Sequence, residues 1–238
     1  MSRLTVAPEM VKAFPEAQVR LVIAWGLRND APWPEVERAH DDLAAGLANE
    51  TRQALADDDE RIASWHDAYR QFGTNPRRFR PSLDALNRRL RKNGRLPRIS
   101  GAVDAYNVVS VTSGTPAGAF DLSRLTSDVQ IRFAVSGDWF TPLGEPEKVE
   151  EPRPGEVVYA QGNQVLTRHW NHRDADATKV TADTRDAVFL LERVSRQAVP
   201  DVDMASAQDA LAALLAPHAE ELTLAVLDEQ SPEATLKG

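Results

Sequence analysis

Apolar residues recur at three- and four-residue spacing through the first hundred or so positions, and from about residue 115 the chain changes to short apolar runs broken by turn residues. A chain whose hydrophobic period changes in this way is neither all helix nor all sheet. The expected fold class is α/β (α+β), with a helical N-terminal half and a strand-rich C-terminal half. The run VRLVIAWGL at 19–27 reads as a buried strand ahead of the helices. Leu43, Leu47, Ile62, Trp65, Ala68, Tyr69 and Phe72 then mark helix faces turned to a core, and Gly73 marks a stop. In PSLDALNRRLRKNG, Pro81 can open a helix, Leu83, Leu86 and Leu90 share one face, and Gly94 closes it. The stretch 103–113, VDAYNVVSVTS, is compatible with a buried helix or a buried strand, with helix favoured. QIRFAV, EVVYAQG, QVLTRHW and AVFLLERV follow as strand candidates, separated by turn-rich segments such as SGDWFTPLGE. The proline-rich PLGEPEKVEEPRPGE is expected to be a surface loop. One domain over 1–238 is expected: 1–100 helix-rich and basic at 70–98, 101–200 strand-rich, and 201–238 an acidic closing helix with Asp203 as its N-cap.

Charge is unevenly distributed. The formal net charge is -8, yet ten Arg or Lys residues stand against one Asp between Arg70 and Arg98. Such a stripe on an acidic chain fits either an anionic partner or pairing with the protein's own carboxylates. The absence of cysteine excludes disulfides, thiolate nucleophiles and cysteine-based zinc sites. No P-loop, GxGxxG fingerprint or GxSxG elbow is present. The first residues lack the apolar core of a signal peptide, and no long apolar run suggests a spanning helix. A cytoplasmic protein without a membrane partner is expected.

The segment TRHWNHRDADATKVT at 167–181 is too polar for a core and too aromatic for a solvated loop. It lies between two strand candidates, where a rigid scaffold would hold a binding or catalytic loop. His169 and His172 form an HxxH pair with no evident third ligand, so no metal is expected.

Four segments in order carry a resemblance: FGTNPRRFRPSLDALNRRL at 72–90, LPRISGAVDAYNVVSV at 96–111, GTPAGAFDLSRL at 114–125 and RHWNHRDADATKVTADTRDAVFLLE at 168–192. Together they resemble a freestanding B3/4 domain, the editing module of the bacterial phenylalanyl-tRNA synthetase beta subunit. The resemblance implies a pocket between two interleaved parts that accepts the aminoacyl end of a tRNA. It implies a trans-acting deacylase of mischarged aminoacyl-tRNA, with tyrosine on phenylalanine tRNA the foremost substrate, that serves translation fidelity and needs no cofactor beyond water. DNA is not an expected partner. The alternative is a non-catalytic module that binds tRNA or an amino acid on the same scaffold.

The family's GQPLHAFD-like stretch is GTPAGAFD here, so Gly118 takes the place of a histidine and cannot orient water. The family's pocket glutamate has Asp174 and Asp176 as its nearest acidic candidates, and register does not choose between them. Ester hydrolysis needs a positioned water, a stabilised oxyanion and a contact for the substrate amine. On that basis Arg173, Asp174 and Asn171 are the expected catalytic residues. Asn107, Gly118, Arg168, Trp170, Thr178, Arg80 and Ser82 are expected to bind substrate. Trp170 also reads as core or wall, Asp174 and Thr178 as turn caps, Asn107 as a buried hydrogen-bonding residue and Arg80 as a structural ion pair. Arg77, Arg78, Arg88 and Arg91 are expected to meet RNA phosphates.

Overall fold

The computed structural model describes residues 2–237. In chain order the elements are β1 (Ser2–Val6), α1 (Pro8–Ala13), β2 (Gln18–Trp25), α2 (Pro34–Ala48), α3 (Glu60–Gln71), α4 (Ser82–Asn93), α5 (Gly101–Ser113), β3 (Ala117–Asp121), β4 (Val129–Phe133), β5 (Val157–Gln161), β6 (Gln164–Arg168), β7 (Arg173–Asp174), β8 (Ala187–Arg193), α6 (Asp201–Leu215), β9 (Glu221–Leu227) and β10 (Glu233–Lys237). The mixed α/β class is therefore observed, with helices concentrated before residue 114 and strands after it.

Among the described residues, ten strands form two sheets. One has the order β10-β1-β4-β5-β6-β7, the other β3-β8-β2-β9. All neighbours are antiparallel except β1 and β4, which run parallel. Strand periodicity then divides the core. On β2 and β8, Leu21, Ile23, Val188 and Leu190 turn toward the six-stranded sheet, where they meet Ile131, Tyr159, Leu166 and Trp170. The alternate residues Val22, Ala24, Phe189 and Leu191 turn the other way and pack under α2, α5 and α6. The central strands β2 and β8 are thus buried on both faces, which explains why VRLVIAWGL and AVFLLERV read as continuous apolar runs.

Local signals place most of the ends. Gly94 caps α4 in the left-handed region at φ 67°, and Gly73 follows α3 at φ 77°. The ambiguous 103–113 stretch is helix, capped by Ser100, whose hydroxyl accepts from the Val103 N–H. Two expectations at the carboxyl end are corrected. The 201–238 segment is helical only through α6 and a short 3-10 turn (Ala216–His218), then returns as β9 and β10. Pro217 interrupts the helical pattern, and Glu221–Leu224 alternates polar with apolar residues at the period of a strand that pairs with β2. Asp203 is not the N-cap. Pro200 holds that position, and Asp203 lies in the first turn, where its charge still complements the positive helix end.

Candidate active site

A cleft opens between the two sheets. Strand alternation puts Gly118 and Phe120 of β3 on the inter-sheet side with Leu190 and Glu192 of β8, and Gly118 sits opposite Leu190 in the ladder. The facing wall is Tyr159 of β5 and Thr167 of β6, followed by the turn 169–172 and by β7. The cavity within the cleft is about 70 Å3.

The turn is unusual. His169 and Trp170 both adopt positive φ, 47° and 69°, a region that side-chain-bearing residues rarely occupy. Backbone bonds tie it down, from Trp170 N–H to Val157 O at 2.6 Å and from His172 N–H to Arg168 O at 3.1 Å. The Ser82 N–H donates to Asn171 O at 3.1 Å, which docks the start of α4 on the same turn. His172 Nδ1–H donates to the Arg80 carbonyl at 2.8 Å. Phe79 packs on His169 with ring centroids 4.1 Å apart. The turn is thus fixed from three sides, and it aims Trp170 and Asn171 into the cleft.

Both meet Glu192. Its Oε1 accepts from Trp170 Nε1 at 3.0 Å and from the Tyr159 hydroxyl, and its Oε2 accepts from Asn171 Nδ2 at 2.9 Å. The Asn171 Oδ1 in turn accepts from the Tyr69 hydroxyl at 2.8 Å, which fixes the orientation of the amide. Burial pushes the Glu192 carboxyl up to about 7, against the opposing pull of these three donors. Burial also holds the Tyr159 and Tyr69 hydroxyls well above the usual range, so both remain donors at neutral pH. Nearer the mouth, Asp174 Oδ1 accepts from Thr167 Oγ1 at 2.9 Å, and burial without a cation beside it raises its carboxyl to about 6. The cleft therefore contains two carboxyls that titrate near neutrality, the arrangement that suits proton transfer.

Glu192 is the functional candidate that the sequence reading missed. The signal was there: a carboxylate at the end of the apolar run of β8, in phase with Val188 and Leu190. Asp174 enters the cleft, whereas Asp176 lies outside it, bound to Lys179 Nζ at 2.8 Å and to the Gly144 N–H at 3.0 Å.

The other expected residues divide cleanly. Asn171, Trp170, Ser82, Gly118 and Arg173 line the cleft. A side chain at Gly118 would enter free space, since an added Cβ meets nothing within 4 Å. Ser82 Oγ is buried there without a hydrogen-bond partner. Arg173 reaches the wall, but its guanidinium turns outward to Glu145 at 2.5 Å. Four residues fall outside the cleft. Arg168 alternates with Thr167 and so projects from the opposite face of β6, where it binds Glu156 at 2.8 Å and Glu150 at 2.7 Å. Arg80 pairs with the buried Asp84 at 3.2 Å and reaches the site only through its carbonyl. Asn107 is buried on α5, which packs on the helix-covered face of the sheet. Thr178 is buried and contributes its carbonyl to the Asp121 N–H at 3.0 Å, which pins the loop along the edge of β3.

His169 stands buried and His172 half-buried beside the cleft. Burial lowers both, His169 to about 3, and among the described residues no cluster of three potential ligands occurs. In the basic stripe, Arg88 and Arg91 both bind Asp57, while Arg77 and Arg78 are exposed without a carboxylate partner among the described residues.

The B3/4 domain model matches residues 64–211, which hold the turn, β3, β8 and the whole cleft. The chain is 29% identical over 141 residues to the phenylalanine-tRNA ligase beta subunit of Corynebacterium jeikeium, a match covering 58% of this chain and 16% of that protein. It is 30% identical over 114 residues to the corresponding subunit of Bordetella pertussis, covering 48% of this chain and 13% of that one. The chain thus spans well under a fifth of the length of these relatives. A solved N-terminal fragment of the phenylalanyl-tRNA synthetase beta subunit from Pyrococcus horikoshii overlays with a TM-score of 0.46 and 11% identity, covering 94% of this chain and 49% of that one. No helix among the described residues is long and apolar enough to cross a membrane.

Proposed function

The chain belongs to the B3/4 domain family, and from that membership we propose that it is a trans-acting editing hydrolase, which removes a wrongly attached amino acid from the end of a tRNA. Family membership supports a role related to tRNA synthetases. The step to hydrolysis rests on one observation: Glu192 and Asp174, both raised toward neutrality, share a cleft with an ordered amide and the edge strand β3.

In this reading the 3′-terminal ester enters at the Asp174 end. Asp174 accepts a proton from water as the water attacks the ester carbonyl, and the ribose hydroxyl leaves with a proton returned to it. The developing oxyanion needs N–H donors. β3 is an edge strand, and the Glu192 N–H bond to Pro116 O sets the alternation that turns the Ala117 and Ala119 N–H groups to its open side. The next outward group, Asp121 N–H, is taken by Thr178. The Ala117 and Ala119 amides are therefore the proposed oxyanion donors. Glu192, oriented by three donors at the floor, accepts a hydroxyl on the substrate side chain, which favours tyrosyl esters over phenylalanyl ones. A pocket built around such an acceptor discriminates strongly against the analogue that lacks the hydroxyl. Ligand cavities ordinarily run to about 300–1,000 Å3, so a phenol ring requires the cleft to widen. The Arg173–Glu145 contact at its lip is where that widening would occur.

Gly118 supports a second reading, a module that binds tRNA or an amino acid without turnover, since the side chain that would meet water in the family is missing. The two readings part in a deacylation assay with tyrosyl-tRNA(Phe). Ester loss above the spontaneous rate, abolished by Asp174→Asn, supports the hydrolase. Binding without ester loss supports the second reading.

A further inference from the structure

Five of the ten basic residues between 70 and 98 are neutralised by carboxylates: Arg70 by Asp67, Arg80 by Asp84, Arg88 and Arg91 by Asp57, and Arg98 by Asp41. Arg89 and Arg95 meet no carboxylate among the described residues, and both are exposed. They line one groove of about 730 Å3 between α2 and the end of α4, together with Asn93 and His40. Among the described residues lining the groove the only acidic group is Asp41, which Arg98 already occupies at 2.7 Å. The groove therefore offers two unpaired guanidinium forks in an open, largely polar setting. Such forks match the paired oxygens of a phosphate.

Helix α4 links this groove to the cleft. Ser82, its first residue, lines the cleft, and Asn93, its last, lines the groove. At the rise of an α-helix they lie about 16 Å apart along the axis. A few nucleotides of single-stranded RNA span that length.

We propose that the groove formed by Arg89, Arg95 and Asn93 binds the phosphodiester backbone of the single-stranded acceptor end of the RNA whose terminal ester enters the cleft. The identity of the RNA rests on the editing reading above; the groove does not. Carboxylates of an acidic peptide would suit the same forks, but the α4 link to the cleft favours a ligand that continues from one site to the other.

The test is binding of uncharged tRNA by fluorescence anisotropy across a salt series, with circular dichroism to verify the fold of each variant. Arg89→Gln/Arg95→Gln is expected to weaken binding at least about tenfold at low salt and to reduce the slope of log K against log salt by about 1.4, the value for two phosphate contacts on a single strand. Lys12→Gln/Arg124→Gln, which removes equal charge elsewhere on the surface, is expected to leave the slope unchanged. An unaltered slope in the Arg89/Arg95 variant overturns the proposal, as does an absence of tRNA binding by the wild type, or displacement of the RNA by an acidic peptide at equal concentration. Ester hydrolysis reads the cleft separately. Hydrolysis with no Arg89/Arg95 effect on binding overturns the groove alone, and an Arg89/Arg95 effect without hydrolysis overturns the deacylase reading alone.

Discussion

Glu192 concentrates the cost and the use of this site. A carboxyl raised to about 7 in the folded chain holds a proton that the unfolded chain, with a value near about 4.3, has released. The folded state therefore binds the extra proton between those values, and stability contributed by this group falls as pH rises from about 4.5 through 7. Asp174, raised to about 6, acts in the same direction over a lower range. Urea unfolding followed from pH 5 to 8 is expected to show this decline, on the order of 3 kcal/mol at most for Glu192, and Glu192→Gln is expected to flatten its upper part. A decline unchanged by that substitution would remove Glu192 as its source. For the reaction, Asp174→Asn is expected to slow ester loss by about 10²–10⁴-fold, and the wild-type rate is expected to rise with pH to a plateau above about 7, with the apparent value belonging to the carboxyl pair. The HxxH histidines draw the eye in the sequence, but burial keeps them neutral and packed against Phe79. Glu192 escaped notice because an apolar run describes the average of a strand, whereas a site can hang on its one exception.

Helices and strands with local end signals were legible from the sequence. Gly94 closes α4, and its left-handed φ leaves nothing within 4 Å of an added Cβ, so Gly94→Ala is expected to cost about 1–2 kcal/mol from the backbone alone; equilibrium denaturation measures it. The final strands were not legible, because β9 becomes a strand by pairing with β2, a partner about two hundred positions away in the chain. The same holds for Arg168, which reads as a pocket residue next to Trp170 until the pleat of β6 sends it to the other face. At the lip, Glu145→Gln is expected to release Arg173 with little change in stability, as for an exposed pair, and to raise kcat/KM for bulky esters more than for small ones. Equal effects on both would show that the Arg173–Glu145 contact does not gate the cleft.

At the scale of the molecule, the change of hydrophobic period predicted a mixed fold, but not the placing of two sheets face to face with a cleft between them. That arrangement needs the parity of β3, β5, β6 and β8 at once, and only tertiary pairing sets their relative phase. Charge followed a similar course: the stripe was visible, while the division into paired and unpaired arginines depends on carboxylates such as Asp57 and Asp41 that are remote in sequence. The claim that joins these scales is that the cleft hydrolyses an aminoacyl ester through its two raised carboxyls. Its most direct test is the rate of ester loss from tyrosyl-tRNA(Phe) with wild-type, Asp174→Asn and Glu192→Gln proteins at pH 7.5. Loss above the spontaneous rate in the wild type is expected, abolished by Asp174→Asn, with Glu192→Gln losing the preference for tyrosyl over phenylalanyl esters; a wild-type rate equal to the spontaneous one, with the RNA bound, would contradict it.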